Sequence, residues 1–213
     1  MRASAASLTF LSQAASVACL SGAAAASEIT SVYSALDVAS CETLFDSDPP
    51  PGQRDLWREV GAVRQVCPGY AGHEVHIISG DTLLGVGFAP DTDRDAEFPL
   101  ELFGTYAVPN RGAVEWRLRD GVPFAVIQRW SIDRGGEPPD YAENGSVLVI
   151  SKLTGGTPAS CVMGHVDAKA NPDANALARQ VADTMADGFT CGVDGPAYAG
   201  VIGPTAAPHK RLN

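Results

Sequence analysis

The chain has 213 residues, a formal net charge of −10, 45% hydrophobic, 19% charged and 7% aromatic residues, and a mean hydropathy of +0.00. That composition describes a folded globular chain, not a disordered tail or a bundle of membrane helices. After residue 26 no stretch approaches the ~18 apolar residues of a spanning helix, and so acidic a surface repels phosphate backbones and anionic lipid, which argues against nucleic-acid and membrane-surface roles.

Residues 1–26 read as a secretory signal peptide. Arg2 is the basic start, Leu8 to Leu20 the apolar core, and Ala24-Ala25-Ala26 a small-residue cleavage site that makes Ser27 the new N-terminus. Cleavage leaves 14 basic against 25 acidic residues, a formal charge of −11. Lipidation at Cys19 is the minor alternative, because Ser16-Val17-Ala18 lacks the bulky aliphatic residue expected three positions before such a cysteine. Arg outnumbers Lys by 12 to 3, and Ala, Gly and Pro abound. That bias suggests a GC-rich bacterial genome, so the expected location is the periplasm or the outside of the cell.

In chain order, Asp46 to Gly52 reads as a turn-rich loop. Leu56, Trp57, Val60 and Val63 recur at helical spacing, while Val63 to Cys67 equally suits a strand. His73–Ser79 and Thr82–Phe88 flank Gly80-Asp81, a pair suited to a two-residue hairpin turn. That register puts Val75 and Ile77 on one face with Leu84 and Val86. Glu74 and His76 fall on the other, beside Gly85 and Gly87.

A second hairpin joins Ala113–Leu118 to Val122–Trp130. A three-residue loop, Arg119-Asp120-Gly121, pairs Leu118 with Val122, Trp116 with Phe124 and Val114 with Val126. It gives one uniformly apolar face and leaves Glu115 and Arg117 outward. A loop from Asp133 to Gly145 leads to two more strands, Ser146–Leu153 and Ser160–Ala168. Asn171 then caps a helix with Pro172 in its first turn. Ala174, Leu177, Ala178, Val181, Ala182 and Met185 form its apolar stripe, and Gly188 ends it.

Four cysteines remain after cleavage: Cys41, Cys67, Cys161 and Cys191. They allow three pairings. The strand Cys161–Ala168 and the following helix have matched lengths, about 26 and 24 Å, so an antiparallel return brings Cys191 beside Cys161. This favours Cys161–Cys191 with Cys41–Cys67. A four-thiolate zinc site wants paired C-x-x-C knuckles, and there are none. Free catalytic thiols do not suit an oxidising compartment.

The expected architecture is therefore α+β: a twisted antiparallel sheet of about five to seven strands built from hairpins, covered on one face by a C-terminal helix. Residues 27–203 form one domain, and 204–213 a flexible tail.

Chemistry-bearing motifs are sparse. His73-Glu74-Val75-His76 has its histidines three apart on a strand, so alternation sends them to opposite faces rather than onto one metal. Asp91, Asp93 and Asp95 alternate like the front half of a calcium loop. Ala96 replaces the turn glycine, however, and Leu102 the terminal glutamate. Glu115, Arg117 and Arg129 suggest a polar outer surface on the second hairpin, paired across strands. His165 and Asp167 share a strand face with Cys161 and Met163; if that face meets the helix, His165 is a hydrogen-bonded core histidine. No nucleophile elbow or phosphate-cradling glycine loop is present in the sequence.

Four segments taken together resemble a group of exported alphaproteobacterial proteins with no assigned activity. They are Cys67-Pro68-Gly69-Tyr70-Ala71-Gly72, Glu115-Trp116-Arg117-Leu118, Asn171-Pro172-Asp173-Ala174-Asn175 running on to Ala182-Asp183, and Phe189-Thr190-Cys191. The resemblance spans roughly Cys41 to Cys191. It implies export and a single domain, and it carries over no catalytic residue.

The function expected from these features is an exported, non-enzymatic binding domain for a cationic partner, such as a basic cell-wall hydrolase. The competing expectations are a periplasmic hydrolase with an unrecognised site, and a calcium-dependent structural module.

Overall fold

Apolar side chains alternate through most of the chain, and that period of two selects strands. The computed structural model describes residues 27–45, 63–80, 84–94, 96, 101–103, 107–132, 144–206 and 209–211. Residues 1–26 with Cys19, the 46–52 loop, residues 56–60, Asp95 and residues 133–143 lie outside them.

The strands are β1 (Ile29–Leu36), β2 (Glu42–Phe45), β3 (Val63–Pro68), β4 (His73–Ser79), β5 (Leu84–Pro90), β6 (Glu101–Phe103), β7 (Ala107–Arg119), β8 (Val122–Ile132), β9 (Gly145–Leu153), β10 (Ser160–Asp167), β11 (Ala197–Ala199) and β12 (His209–Arg211). Among the described residues one α-helix, α1 (Ala174–Met185), interrupts them. The described residues are thus mostly strands with one α-helix. The strands do not form one sheet. They form a six-stranded sheet ordered β1-β7-β8-β9-β10-β11, a four-stranded sheet ordered β2-β3-β4-β5, and the pair β6-β12.

The sequence predicts a purely antiparallel sheet, and one pair departs from it. β11 lies parallel to β10. The reason is connectivity: α1 carries the chain back to the start of the sheet, and a strand–helix–strand return gives parallel neighbours.

Both hairpins correct the expected registers. In the first, Ser79 pairs with Leu84 and Ile77 with Val86. Four residues, not two, therefore connect the strands. A shift of two keeps the faces, so Val75 and Ile77 still share theirs with Val86 and Phe88.

In the second hairpin, Arg119 pairs with Val122 across a two-residue turn. Asp120 and Gly121 have φ of +50° and +83°, the left-handed pair of a type I′ turn, which an Asp-Gly sequence adopts readily. Phe124 is then skipped, so Arg117 meets Ala125 and Trp116 meets Val126. A bulge, rather than loop length, brings Trp116 opposite an apolar partner. Asp120 also anchors the start of β1: Ser27 Oγ donates to its carboxylate at 2.5 Å and the Glu28 N–H at 2.9 Å.

One face of the six-stranded sheet meets the four-stranded sheet. Leu36, Val114, Trp116, Leu118 and Val126 pack there with Cys67, Val75, Ile77 and Phe88. Trp116 is fully buried. Its ring lies edge-on to Phe88 at 5.7 Å, and its indole N–H donates to Ser34 Oγ at 2.9 Å. The Phe88 N–H donates to Ser160 Oγ at 2.9 Å, which links the two sheets.

The opposite face shares a buried cluster with α1. Ala174, Ala178, Val181 and Ala182 meet Ala125, Ile127, Leu148, Ile150, Met163 and Val166. Small helix residues permit a close approach. At Gly164 a Cβ would stand only 3.0 Å from Val181 Cγ1. The helix begins two to three residues later than expected, at Ala174, with Asp173 as a cap residue that makes no side-chain cap bond. Asn171 instead holds Val201, its side-chain amide bonding both the N–H and the C=O of that residue.

Disulfides join Cys41 to Cys67 and Cys161 to Cys191. They point to an oxidising, extracytoplasmic compartment. Among the described residues no helix is long and apolar enough to cross a membrane. At the C-terminal end, His209–Arg211 pairs with Glu101–Phe103.

Candidate functional site

Of the residues singled out by the sequence, His73, Glu74, His76, Asp91 and Asp93 lie on the four-stranded sheet and in the turn after β5. Alternation in β4 separates the two histidines. His73 turns toward Trp116, 5.9 Å between rings, and His76 points to the other face. Asp91 and Asp93 are exposed in the turn after β5. The Asp91 N–H donates to Gly72 O at 2.8 Å and the Asp93 N–H to Pro90 O at 2.9 Å. Of the three aspartates of the calcium pattern, only these two lie within the described residues. Among those residues no three His, Cys, Asp or Glu side chains group closely enough to hold a metal ion.

The acidic turn carries its own cation. Arg94 donates to Glu42 Oε2 at 2.9 Å and to Glu74 Oε1 at 3.1 Å. Behind Glu74, its Oε2 lies 4.0 Å from His76 Nε2. Arg64 donates from Nε and Nη2 to His76 Nδ1, at 3.1 and 2.7 Å, and from Nη2 to Ala96 O at 3.2 Å. Because Nδ1 accepts from a guanidinium, we assign the neutral ring's proton to Nε2. Burial first, then the charges of Arg64 and Arg94, hold the imidazole down at about 3. Its lone pair is already in use, so His76 suits neither metal ligation nor general base work near neutral pH. The chain from Glu42 through Arg94, Glu74 and His76 to Arg64 orders the acidic turn on the sheet.

The expected outer surface of Glu115, Arg117 and Arg129 is corrected. Glu115 and Arg117 are each 7% exposed, because α1 supplies their partners. Arg117 grips Asp183 bidentately, at 2.9 and 2.6 Å, and donates to Ser31 Oγ at 2.5 Å. Arg179 donates to Glu115 at 2.6 and 3.3 Å and to Tyr33 Oη at 2.9 Å. Its hydrogen bond to Glu115 raises the Arg179 guanidinium above its ordinary value. Arg129 donates to Ser146 and Asn175. Beside this network, Asn171, Asp173, Ala176, Leu177 and Gln180 line a shallow groove of about 350 Å³.

His165 and Asp167 are also corrected. A bulge at Met163 shifts the register between Val162 and Gly164. Cys161 and Met163 therefore face α1, while His165 and Asp167 turn to the inner face between the sheets. Asp167 is committed to structure, accepting the N–H groups of Lys169, Ala170 and Gly203 at 2.9, 3.2 and 2.9 Å. His165 lies 5.1 Å from the Tyr198 ring. Burial, with Asp167 second, raises the Tyr198 phenol to about 12.

Sequence reasoning missed Arg64, Gln128 and Tyr198. Only Gln128 had a readable signal: it is the one amide inside an apolar run at an inward position of β8. Comparison with family models, curated proteins and solved structures gives no match.

Proposed function

We propose that this protein is an exported, disulfide-stapled binding domain of the periplasm or cell exterior, and that its acidic surface receives a cationic partner. On this reading residues 1–26 are removed on export, and α1 lies over the outer face of the six-stranded sheet. One observation carries the proposal: four arginines are neutralised in ion pairs within the fold, whereas several exposed carboxylates enter none among the described residues. Arg94, Arg117, Arg119 and Arg179 are each held in ion pairs, and Lys152 donates to Phe189 O at 2.7 Å. Glu28, Asp37, Asp91, Asp93 and Asp173 are exposed and enter no ion pair among the described residues. The field seen by a partner is therefore negative, which speeds encounter with a basic surface.

A basic cell-wall hydrolase, such as a lysozyme, is the concrete candidate. This rests on analogy with small disulfide-bonded periplasmic inhibitors and on charge. The test is a lysis assay with excess protein at rising salt, paired with a direct binding measurement. Nanomolar to micromolar inhibition that weakens with salt is expected. Asp91→Asn with Asp93→Asn should slow association more than it speeds dissociation. Unchanged lysis rates and no binding at low salt would remove the reading.

A further inference from the structure

The inner face of the six-stranded sheet holds a side chain whose chemistry its surroundings do not meet. Gln128 is 2% exposed, and neither its Oε1 nor its Nε2 has a hydrogen-bond partner among the described residues. Along β8 its neighbours on that face are Val126 and Trp130. Across the strands it sits between Val114 and Val149. A leucine would occupy this place with no amide to desolvate. An unpaired primary amide buried there is unfavourable, and a break in apolar patterning of this kind marks a group retained for a purpose.

The same layer carries a second departure. Gln128 pairs with Val149, Val149 with His165, and His165 with Tyr198. Gln128, His165 and Tyr198 thus lie in one row across the sheet, with Val149 between Gln128 and His165, bordered by the apolar cluster of Trp130, Ile132, Val147, Val149 and Val162. The bulge at Met163 is what places His165 in that row rather than against α1.

We propose that the inner face around Gln128 binds a small uncharged molecule bearing a carboxamide-type edge, an N–H beside a C=O, on an apolar or aromatic body. Gln128 Oε1 accepts from the ligand's N–H and Nε2 donates to its C=O, as two amides pair. Val114, Val126 and Val149 supply apolar walls, and the Trp130 indole a flat one. An ion is disfavoured there, because valines do not compensate its lost hydration.

The probe is benzamide, with toluene as the control that keeps the ring and lacks the edge. Benzamide should raise the Tm of the disulfide-bonded protein in a dose-dependent way, and toluene should not. Gln128→Leu should raise the Tm without ligand and weaken benzamide binding by about tenfold or more, the worth of one satisfied pair. Gln128→Met, closer in length, serves if the leucine variant does not fold. Three results overturn the proposal: no benzamide shift in the wild-type protein, equal benzamide binding by a Gln128 variant, or a lower Tm in both variants. The last would show that the amide is already satisfied within the protein.

Discussion

Arg64 and Arg117 are both withdrawn from water, at 1% and 7% exposure, but they meet partners of different kinds. Arg117, on the six-stranded sheet, is clasped by the Asp183 carboxylate of α1. Arg64, on the four-stranded sheet, donates to the imidazole of His76 and to the Ala96 carbonyl. His76 must stay neutral, because a proton on Nδ1 removes the acceptor and sets a second positive charge against the guanidinium. One region thus sets a carboxylate against its buried cation, and the other sets a neutral ring that must not take up a proton. Buried arginines look alike in sequence, and the difference lies wholly in what the fold places opposite them.

The largest expected effect is acid destabilisation through His76. Its folded-state value of about 3 lies below the ordinary imidazole value of 6.5. The unfolded chain therefore takes up the proton first. The stabilisation is fully present above about pH 6.5 and is lost progressively as pH falls toward 3, amounting to roughly 5 kcal/mol at about 1.4 kcal/mol per unit. Arg64, Arg94 and Glu74 face the ring, and the two arginines add to burial in the same direction. Urea unfolding between pH 7 and 3.5 reads this directly. His76→Gln keeps an acceptor for Arg64 and should flatten the slope. Parallel slopes for the two proteins would show that the acid response originates elsewhere.

Next in size are the disulfides, one anchored on β3 and one on β10. Cys41–Cys67 closes 26 residues and Cys161–Cys191 closes 30. On the chain-entropy argument each contributes about 3–4 kcal/mol, with little difference from loop length. Replacing Cys161 and Cys191 by alanine should also loosen the Phe189 region, where Lys152 is bound. Hydrogen exchange should then rise at the end of α1 and leave β3 and β4 protected. Uniform loss of protection would mean that the two regions unfold together and that the contrast is only local.

Arg64→Met follows, at about 2–3 kcal/mol, because it strips the donor from the buried His76 Nδ1 and Ala96 O. It also removes a charge that opposes protonation, so the acid transition should move upward, toward pH 6.5. A variant equally destabilised at pH 7 with an unmoved acid transition would deny the electrostatic link between the two side chains.

What could be read in advance followed local rules. Period-two alternation located the strands around Val75, Trp116, Val149 and Val162, helical spacing located α1, and matched lengths brought Cys191 to Cys161. The misreadings trace to insertions and distant partners. The skipped Phe124 and the bulged Met163 each change alternation by one residue, and neither has a compositional mark. Glu115 and Arg117 read as outward because strand polarity looks the same whether water or a distant helix supplies the partner. Arg64 and His76 lie twelve residues apart, and only the β3–β4 register, with Arg64 opposite Ile78 and Val66 opposite His76, brings them together. Of the candidate site, the acidic turn was legible from Asp91 and Asp93. Its tie to Glu42 and Glu74 through Arg94 was not, since it depends on how β2 lies against β3.

The smallest effect sharpens the comparison from the Arg117 side. Arg179 joins α1 to Glu115 and Tyr33, but its side chain is 38% exposed against 9% for Glu115. Solvent screens such a pair, so Arg179→Met should cost under about 1 kcal/mol at pH 7. Ser31 Oγ still donates to Glu115 Oε1 at 2.5 Å, and the Arg117 clasp on Asp183 is untouched. Adding salt should narrow the gap between variant and wild type by weakening the wild-type pair. It should leave the penalty of Arg64→Met nearly constant, because that penalty comes from an unmet acceptor in the interior. A salt-insensitive Arg179 penalty of several kcal/mol would place Arg179 in the same class as Arg64, a cation whose removal strands a buried group, and would erase the distinction between the two regions.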